Sequence, residues 1–580
     1  MEREVVAPSL RAGALESAAA WVEAHARLVL GAFTALYLAV TVPLAARLPL
    51  SNDEFFTYYI ARAHGLNGIR RALESGAEQT PPLSHVLSRI SMDIFGTSKL
   101  AIRLPELLAY LGFSLCLYAV VSYRRPRLIG LLAVLVPAVT VAYTYAYEAR
   151  SYALVLCFGA LGLASWQRCN SARRRLAVGG LVCALALATA SNYYAVLLLF
   201  PLALAEGVRA LQARRLDVPV WLAFGGAFVP LVVFLPLIRA SHKYSAHFYS
   251  KATWHDPTDF FAYLTKTSLL PAKVFVDHDR SILALTLLAV AVVIVAVRRL
   301  PRGSGLVAFG IAIVVVPLAG LLVANALGTT LYVREGALVV ALGVLAAYVV
   351  YRARAVEGLD GRLEPAELAA ALGFILLPLA TVVLAKAATG AFQFRYALPA
   401  VIGAAVVLPV AFRRLEFDRP AAALVMLALL SVSWLGYAVS ENRRASRAIE
   451  RQATIFRFLE DETAGNRRPI LLAHPHDYLE LASVAPAALA PRLIYLADPQ
   501  AALRRNGSDT VDLGLQEMRK LGPLHVHDYG PFVRRRPRFL ALVTFHHGDW
   551  NWVFPQLRAD GMKIKLRAAR GDLQLYQVGP

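Results

Sequence analysis

Two carboxylates stand side by side at Asp53 and Glu54, directly after a long apolar run. Further acids and cations recur at the ends of later apolar runs: Glu148 with Arg150, Arg334 in Tyr332-Val333-Arg334-Glu335, and Arg395 with Tyr396 in Gln393-Phe394-Arg395-Tyr396. A carboxylate at a lipid–water boundary can take a proton from an attacking hydroxyl, and guanidinium groups hold phosphate, often through paired hydrogen bonds. The combination suits a reaction on an amphiphile whose phosphate lies at headgroup depth. Plainer readings stand beside it: Asp53 and Glu54 as solvated loop acids, Glu148 and Arg150 as an interfacial ion pair, Arg395 as an arginine reaching up from lipid to the interface.

The elements that must position these residues are membrane spans. The 580 residues are 58% hydrophobic and 17% charged, whereas soluble domains run at about 45–50% and about 25%. A hydrocarbon core of about 30 Å takes about 20 apolar helical residues. By that ruler about thirteen runs recur between Leu28 and Tyr437. The net charge of +21 does not point to nucleic acid, because the arginines are grouped. Arg124-Arg125, Arg173-Arg174-Arg175, Arg214-Arg215, Arg298-Arg299 and Arg413-Arg414 fall in alternate short loops, the pattern of cytoplasmic loops, read as solvated or lipid-facing charges that set orientation. The loops between them, including the one that carries Asp53, then face outward.

Residues 1–27 read as a cytoplasmic amphipathic lead-in, and Leu28 to Leu50 as a retained signal-anchor, longer than a signal-peptide core of about 7–15 residues. A first outer loop, 50–102, has aromatic residues at Phe55, Phe56, Tyr58 and Tyr59 suited to the headgroup layer. Its Gln79-Thr80-Pro81-Pro82 segment is stiff, and Leu83 to Phe95 predicts a second interfacial helix. A second outer loop, 239–280, holds Lys243, Tyr244, His247, Tyr249, Lys251, Trp254, His255 and Lys273. An odd number of spans, the last ending near Ser440, leaves residue 580 outside.

From Glu441 the charge density becomes that of a soluble domain. Pro469–Ala473, Arg492–Ala497, Phe539–Thr544 and Leu573–Val578 predict strands; Tyr478–Val484 and Leu513–Leu521 predict helices; the sum is a small α/β domain, 441–580, on the outer face. Three clusters there, His474-Pro475-His476-Asp477, His525-Val526-His527-Asp528 and His546-His547-Gly548-Asp549, have the residue types of a zinc site but no tight two-ligand helix motif, and the loop reading is preferred. The four cysteines, Cys116, Cys157, Cys169 and Cys183, lie in spans or on the inner side with no Cys-x-x-Cys pair, so neither a disulfide framework nor a thiolate metal site is supported.

Several short stretches carry a resemblance. Asn52-Asp53-Glu54, Pro81-Pro82-Leu83, Phe95-Gly96, Arg103-Leu104-Pro105, Glu148-Ala149-Arg150-Ser151-Tyr152-Ala153-Leu154, Asn192-Tyr193-Tyr194 and Arg395-Tyr396-Ala397-Leu398-Pro399 resemble the GT-C-fold membrane glycosyltransferases. The likeness is to dolichyl-phosphate-mannose–protein mannosyltransferases and lipid A aminoarabinose transferases, over roughly 28–440 and most strongly over 50–200. The resemblance implies a polytopic α-helical membrane protein of GT-C type with the small α/β extracytoplasmic domain appended. It also implies a polyprenyl-phosphate sugar donor, inverting transfer to a lipid, glycan or protein acceptor, and an active site outside the inner membrane. In the family the first acid of the outer-loop pair is the base, which falls on Asp53; the second acidic motif falls on Glu148.

Glu54 is expected to support Asp53 by orienting substrate or a cation, and repulsion between neighbouring acids to raise the proton affinity of one. Donor phosphate is expected at Arg395, Tyr396, Arg334 and Arg150. The family contains metal-dependent and metal-independent enzymes, so a divalent cation is compatible with the pattern and not demanded by it. Two other readings stay open: an oligosaccharide ligase or polymerase using a pyrophosphate carrier, and a transporter or flippase for lipid-linked sugars. The near-absence of charge in the middles of the spans weighs against the transporter, which hands its cargo on at mid-depth.

Overall fold

The computed structural model describes residues 7–245, 247–265, 363–414, 420–535, 538–544 and 550–580. Among them, five helices are long and apolar enough to cross a membrane: Ala26–Arg47, Lys99–Val121, Arg174–Ser191, Tyr193–Ala213 and Pro420–Glu462. The number becomes seven if two helix pairs bent by 60° and 51° each count as one span. The expected total of about thirteen also drew on runs inside 266–362, which lie outside the described residues, as do Arg334 and His546-His547-Gly548-Asp549. The spans share one apolar core that runs from Ala19 and Tyr37 through Phe113, Leu156 and Ile402 to Trp434.

The Lys99–Val121 helix sets the two ends of the bundle apart, since its 23 residues rise about 35 Å. Arg124 and Arg125 lie beyond its far end, and there one expectation is corrected. Arg125 is not a solvated loop charge: its side chain is 1% exposed and paired with Glu367, which also accepts from Gln167 Nε2 at 2.9 Å. Arg124, half exposed, pairs with Glu364. At the same end Glu23, on the Ala7–Ala24 helix, accepts from the backbone of Arg127 (2.7 Å) and Leu128 (2.8 Å). A carboxylate there satisfies N–H groups that the first turn of Arg127–Ala138 leaves free.

At the near end, the loop after the first span folds into three short helices. Asn52–Ala61 starts after Ser51 with two acids in its first turn, where negative charge favours a helix N-terminus. Gly65–Glu74 follows, then Leu83–Phe95, which opens behind Pro81-Pro82 and stops at Gly96 with φ 80°.

The helix of the last span does not stop near Ser440, where the apolar run ends. Pro420–Glu462 is one helix of 43 residues, about 65 Å long, twice what the hydrocarbon needs. Between Tyr437 and Glu462 the chain has no Gly or Pro to break it, and the helix yields only before Gly465, at φ 70°. The boundary expected at 441 falls inside this rod. Its outer end enters a six-stranded sheet domain with strand order β3-β2-β1-β4-β6-β5. Here β1 is Ile470–Leu472, β2 Leu493–Ala497, β3 Val526–Asp528, β4 Phe539–Thr544, β5 Lys563–Arg570 and β6 Leu573–Gly579. β1 to β4 pair parallel, and β6 joins β4 and β5 antiparallel.

One face of the sheet packs Leu471, Ile494 and Ala541 against Trp552, Val553 and Leu557. The other packs Leu472, Tyr495 and Leu540 against Ile455, Phe456 and Leu459 of the rod and against Phe55 and Tyr59 of the Asn52–Ala61 helix. The acid-bearing helix is therefore part of the sheet domain's core. Gly522 marks how closely they fit, because a Cβ there would fall 2.5 Å from Cδ1 and Cε1 of the Tyr59 ring. We expect Gly522→Ala to displace that ring and cost about 1–3 kcal/mol, the usual penalty for overfilling a packed site, read as a lower melting temperature of the full chain in detergent.

Candidate active site

Asp53 and Glu54 are neighbours in sequence and opposites in environment. Glu54 is 1% exposed and Arg103 is fully buried. Arg103 donates Nε to Oε1 and Nη2 to Oε2 of Glu54, both at 2.7 Å. The same guanidinium donates to the carbonyls of Ala45 (2.7 Å), Leu48 (2.8 Å) and Pro49 (2.9 Å), the last turn of the first span and its exit. Glu54 also accepts from the backbone of Ser51 (2.8 Å) and Ala149 (2.7 Å). Every donor of that arginine and both oxygens of that acid are engaged within the protein. Glu54 was expected among the reacting or substrate-orienting acids; with no surface and no free lone pair aimed outward, it is a frame residue instead.

The Glu54–Ala149 bond fixes the segment Tyr147–Ser151, whose tight backbone bonds (Arg150 N to Glu148 O and Tyr152 N to Arg150 O, each 2.7 Å) turn Glu148 and Arg150 to the same side. Arg150 Nη1 donates to the Asp53 carbonyl at 3.1 Å and to Glu78 Oε1 at 2.6 Å, and its Nη2 lies 4.0 Å from Asp53 Oδ2. Ser51 Oγ donates to Glu148 Oε1 at 2.9 Å. Arg395 reaches the group from the other side of the bundle: after the bent Pro365–Thr389 pair, Gly390 turns the chain at φ 67°, and the single helical turn Phe394–Ala397 points its guanidinium at Asp53 Oδ2, in ion-pair contact. Arg395 also lies 5.7 Å over the Tyr152 ring, and Tyr396 stacks on Tyr194 at 4.3 Å, which anchors the turn.

The structure thus gathers Asp53, Glu148, Arg150 and Arg395 in one place, sets Tyr396 beside them, and takes Glu54 away from them. It adds Glu78 and, behind it, His85, whose Nε2 is 3.1 Å from Thr80 Oγ1 and 3.7 Å from Glu78 Oε2. Neither was singled out in the sequence. Among the described residues no group of three His, Cys, Asp or Glu side chains could hold a metal ion.

The charges are unequally poised. Burial raises the proton affinity of Asp53, but the guanidiniums of Arg395 and Arg150 outweigh it and hold the carboxyl well below the usual range. Burial also raises Glu78, against the pull of Arg150. Burial and then Arg150 press His85 down to about 3, so its ring is neutral. Glu148 is pushed up to about 7, first by burial and then by the charges of Glu54 and Asp53. The repulsion expected to make one acid of the pair a better base therefore acts on Glu148, not on Asp53.

The sheet domain also reaches this site. His476 is close enough to lower the Asp53 carboxyl further. The His476 ring stacks on Trp550 at 6.3 Å, and Trp550 meets Tyr249 of the second outer loop edge-on at 5.6 Å. Tyr249 in turn senses Arg395 and Asp53. Lys273 of that loop lies outside the described residues.

With this geometry in view, the comparisons with known proteins fall on the same ground. The sequence model of the family described as dolichyl-phosphate-mannose-protein mannosyltransferase matches residues 79–239, less than a third of the chain, a segment that includes Arg103, Glu148 and Arg150. No curated protein matches the chain. Among solved structures, the ArnT of Cupriavidus metallidurans bound to undecaprenyl phosphate aligns at 16% identity and TM-score 0.44, covering 94% of this chain and 97% of that one. The Archaeoglobus fulgidus oligosaccharyltransferase complex with Zn and sulfate aligns at 12% identity and TM-score 0.40, covering 87% and 67%. The AglB of the same archaeon, with an inhibitory peptide and a dolichol-phosphate, aligns at 11% and 0.40, covering 90% and 70%. The chain resembles GT-C-type membrane glycosyltransferases.

Two outcomes follow from the site's frame. Glu54→Gln leaves the buried Arg103 charge without its counter-ion, so we expect a loss of about 3–5 kcal/mol, the range for breaking one side of a buried pair, seen as a lowered melting temperature in detergent. The raised Glu148 carboxyl gives a pH signature. Its proton is held more tightly in the folded protein than in the unfolded chain, so its ionisation costs stability as pH rises from about 4.5 through about 7. Glu148→Gln removes that cost: the variant should melt above wild type at pH 8, and the difference should close below about pH 4.5, the ordinary carboxyl range.

Proposed function

We propose that this protein is a membrane glycosyltransferase that moves a sugar from a polyprenyl-phosphate carrier to an acceptor on the extracytoplasmic face, with inversion and with Asp53 as the base. The observation that carries the reading is the contact between a partly exposed carboxylate, Asp53 at 32%, and the guanidinium of Arg395 at the loop end of the bundle, with Arg150 alongside. A base and an anion ligand in contact are what a phosphate-leaving displacement at the membrane surface requires.

The step is a single displacement. Asp53 Oδ accepts the proton of an acceptor hydroxyl or amine as that atom bonds to the anomeric carbon. The bond from the anomeric carbon to the phosphate oxygen breaks, its electron pair stays on that oxygen, and a phosphodiester monoanion becomes a phosphomonoester carrying one more negative charge. Arg395, with Arg150 behind it and Tyr396 beside it, stabilises the charge that develops. Arg334 is assigned to the same task from its sequence position. Glu148, protonated over part of the neutral range, can donate a hydrogen bond to a sugar hydroxyl. The polyprenyl tail lies against the spans, in the hydrocarbon. The grouped arginines of alternate loops support an inner-membrane protein whose active site and sheet domain face outward.

The test is mass spectrometry of the purified chain with a panel of polyprenyl-phosphate sugars. Loss of sugar from the carrier is the expected result; consumption only of pyrophosphate-linked glycans would favour the ligase reading, and movement of intact donor the transporter. Asp53→Asn keeps the size and polarity of the side chain but cannot take the proton. It should lower transfer about 10²–10⁴-fold, the cost of losing a positioned general base, while the lipid phosphate still binds. Wild-type turnover in that variant would pass the role of base to Glu148.

A further inference from the structure

We propose that Asp53 and Arg395 form a latch which the donor's phosphate opens: carboxylate and phosphate compete for one guanidinium, so the base is freed only where a lipid phosphate is already bound. This rests on the reading of Arg395 as the phosphate ligand.

The two acid–arginine pairs of the site differ in the way a latch requires. Glu54 and Arg103 are 1% and 0% exposed and saturated with internal hydrogen bonds, so nothing can exchange there. Asp53 and Arg395 are 32% and 20% exposed, open to the surface. Arg150 is the less exchangeable cation, because it is tied to a second acid, Glu78, at 2.6 Å and to the Asp53 carbonyl at 3.1 Å, although its Nε, like that of Arg395, has no hydrogen-bond partner among the described residues. Arg395 has Asp53 as its ion-pair partner, the Tyr152 ring beneath it, and a buried Nε with no hydrogen-bond partner among the described residues. Its turn is anchored by the Tyr396–Tyr194 stack, so the guanidinium can change partner without moving the backbone.

A guanidinium presents the same fork of N–H groups to a carboxylate and to a phosphate, so Arg395 stays paired through the exchange while Asp53 loses its contact cation. While Arg395 sits on Asp53 the carboxylate is a poor proton acceptor. Once the phosphate takes Arg395, Asp53 keeps the more distant Arg150 and His476 and the neighbouring acids, and its proton affinity rises toward what a base needs. The cycle closes by the same competition. After transfer Asp53 carries the acceptor's proton and cannot pair with Arg395, so the phosphomonoester stays bound. Loss of that proton to water restores the carboxylate, which again competes with the phosphomonoester for the arginine and so favours its release.

The experiment is equilibrium binding of farnesyl phosphate to the purified full chain in detergent, with farnesol as the control for tail binding. Asp53→Asn, and Asp53→Ala as a second variant, should bind the phosphate about tenfold more tightly than wild type, the scale of one charged hydrogen bond no longer in competition. Arg395→Gln should bind it about tenfold less tightly. Glu148→Gln removes a nearby carboxyl without releasing Arg395 and should change affinity less than Asp53→Asn does. Unchanged or weaker binding in both Asp53 variants, with Arg395→Gln impaired, would overturn the latch and leave the phosphate reading standing. Equal tightening in Glu148→Gln would reduce the effect to general charge repulsion and also overturn it. Wild-type affinity in Arg395→Gln would remove the phosphate reading itself, and the latch with it.

Discussion

Everything at the loop end of this protein hangs on one buried guanidinium. Arg103 ties together the exit of the first span, the first turn of the acid-bearing helix and, through Glu54, the turn that carries Glu148 and Arg150. Its donors reach residues 45–54 from the next span, and Glu54 extends the link to Ala149, 95 residues on. A buried ion pair of this kind need not stabilise a fold more than apolar residues would. What it does here is admit a single arrangement, because any other would leave a charge in the interior without its partner. The adjacent acid, about 100° further round the helix, is left on the half-exposed side.

That division of labour explains what could be read from the chain alone. Asp53, Glu148, Arg150 and Arg395 are legible because each sits where an apolar run meets water, and charges at such boundaries are few. Glu54 carries the same signal and a different fate; only its three-dimensional partner, 49 residues on, tells the two acids apart. Arg103 was visible inside a quoted motif, but an arginine near a span end looks like any interfacial anchor. Glu78 offered no pattern beyond an acid shortly before two prolines.

The sheet domain was partly legible for similar reasons. Strands buried on both faces, such as β1 and β2, are continuous apolar runs and stand out. The edge strand β5, Lys-Ile-Lys-Leu-Arg-Ala-Ala-Arg, pairs only with β6 and is mostly exposed; Ile564, Leu566 and Ala568 do alternate with Lys563, Lys565 and Arg567, a strand period that its high charge masked. The three-residue β3 is too short for any periodicity. The length of the last helix was not legible because hydropathy reports where lipid stops, whereas a helix continues as long as its residues favour it and nothing breaks the ladder.

That continuous helix joins the membrane to the site mechanically. Roughly half of the rod of about 65 Å lies in hydrocarbon, and its far end is packed under the sheet and against the helix bearing Asp53. With no break in the helix between the halves, a tilt of the span is also a tilt of the sheet domain and of the Asp53 helix packed into it. Spans tilt to match the thickness of the bilayer around them. The lipid composition of the host membrane therefore reaches, through one helix, a domain that lies wholly outside the lipid, and bilayer thickness becomes a setting of how that domain and the Asp53 helix stand over the bundle.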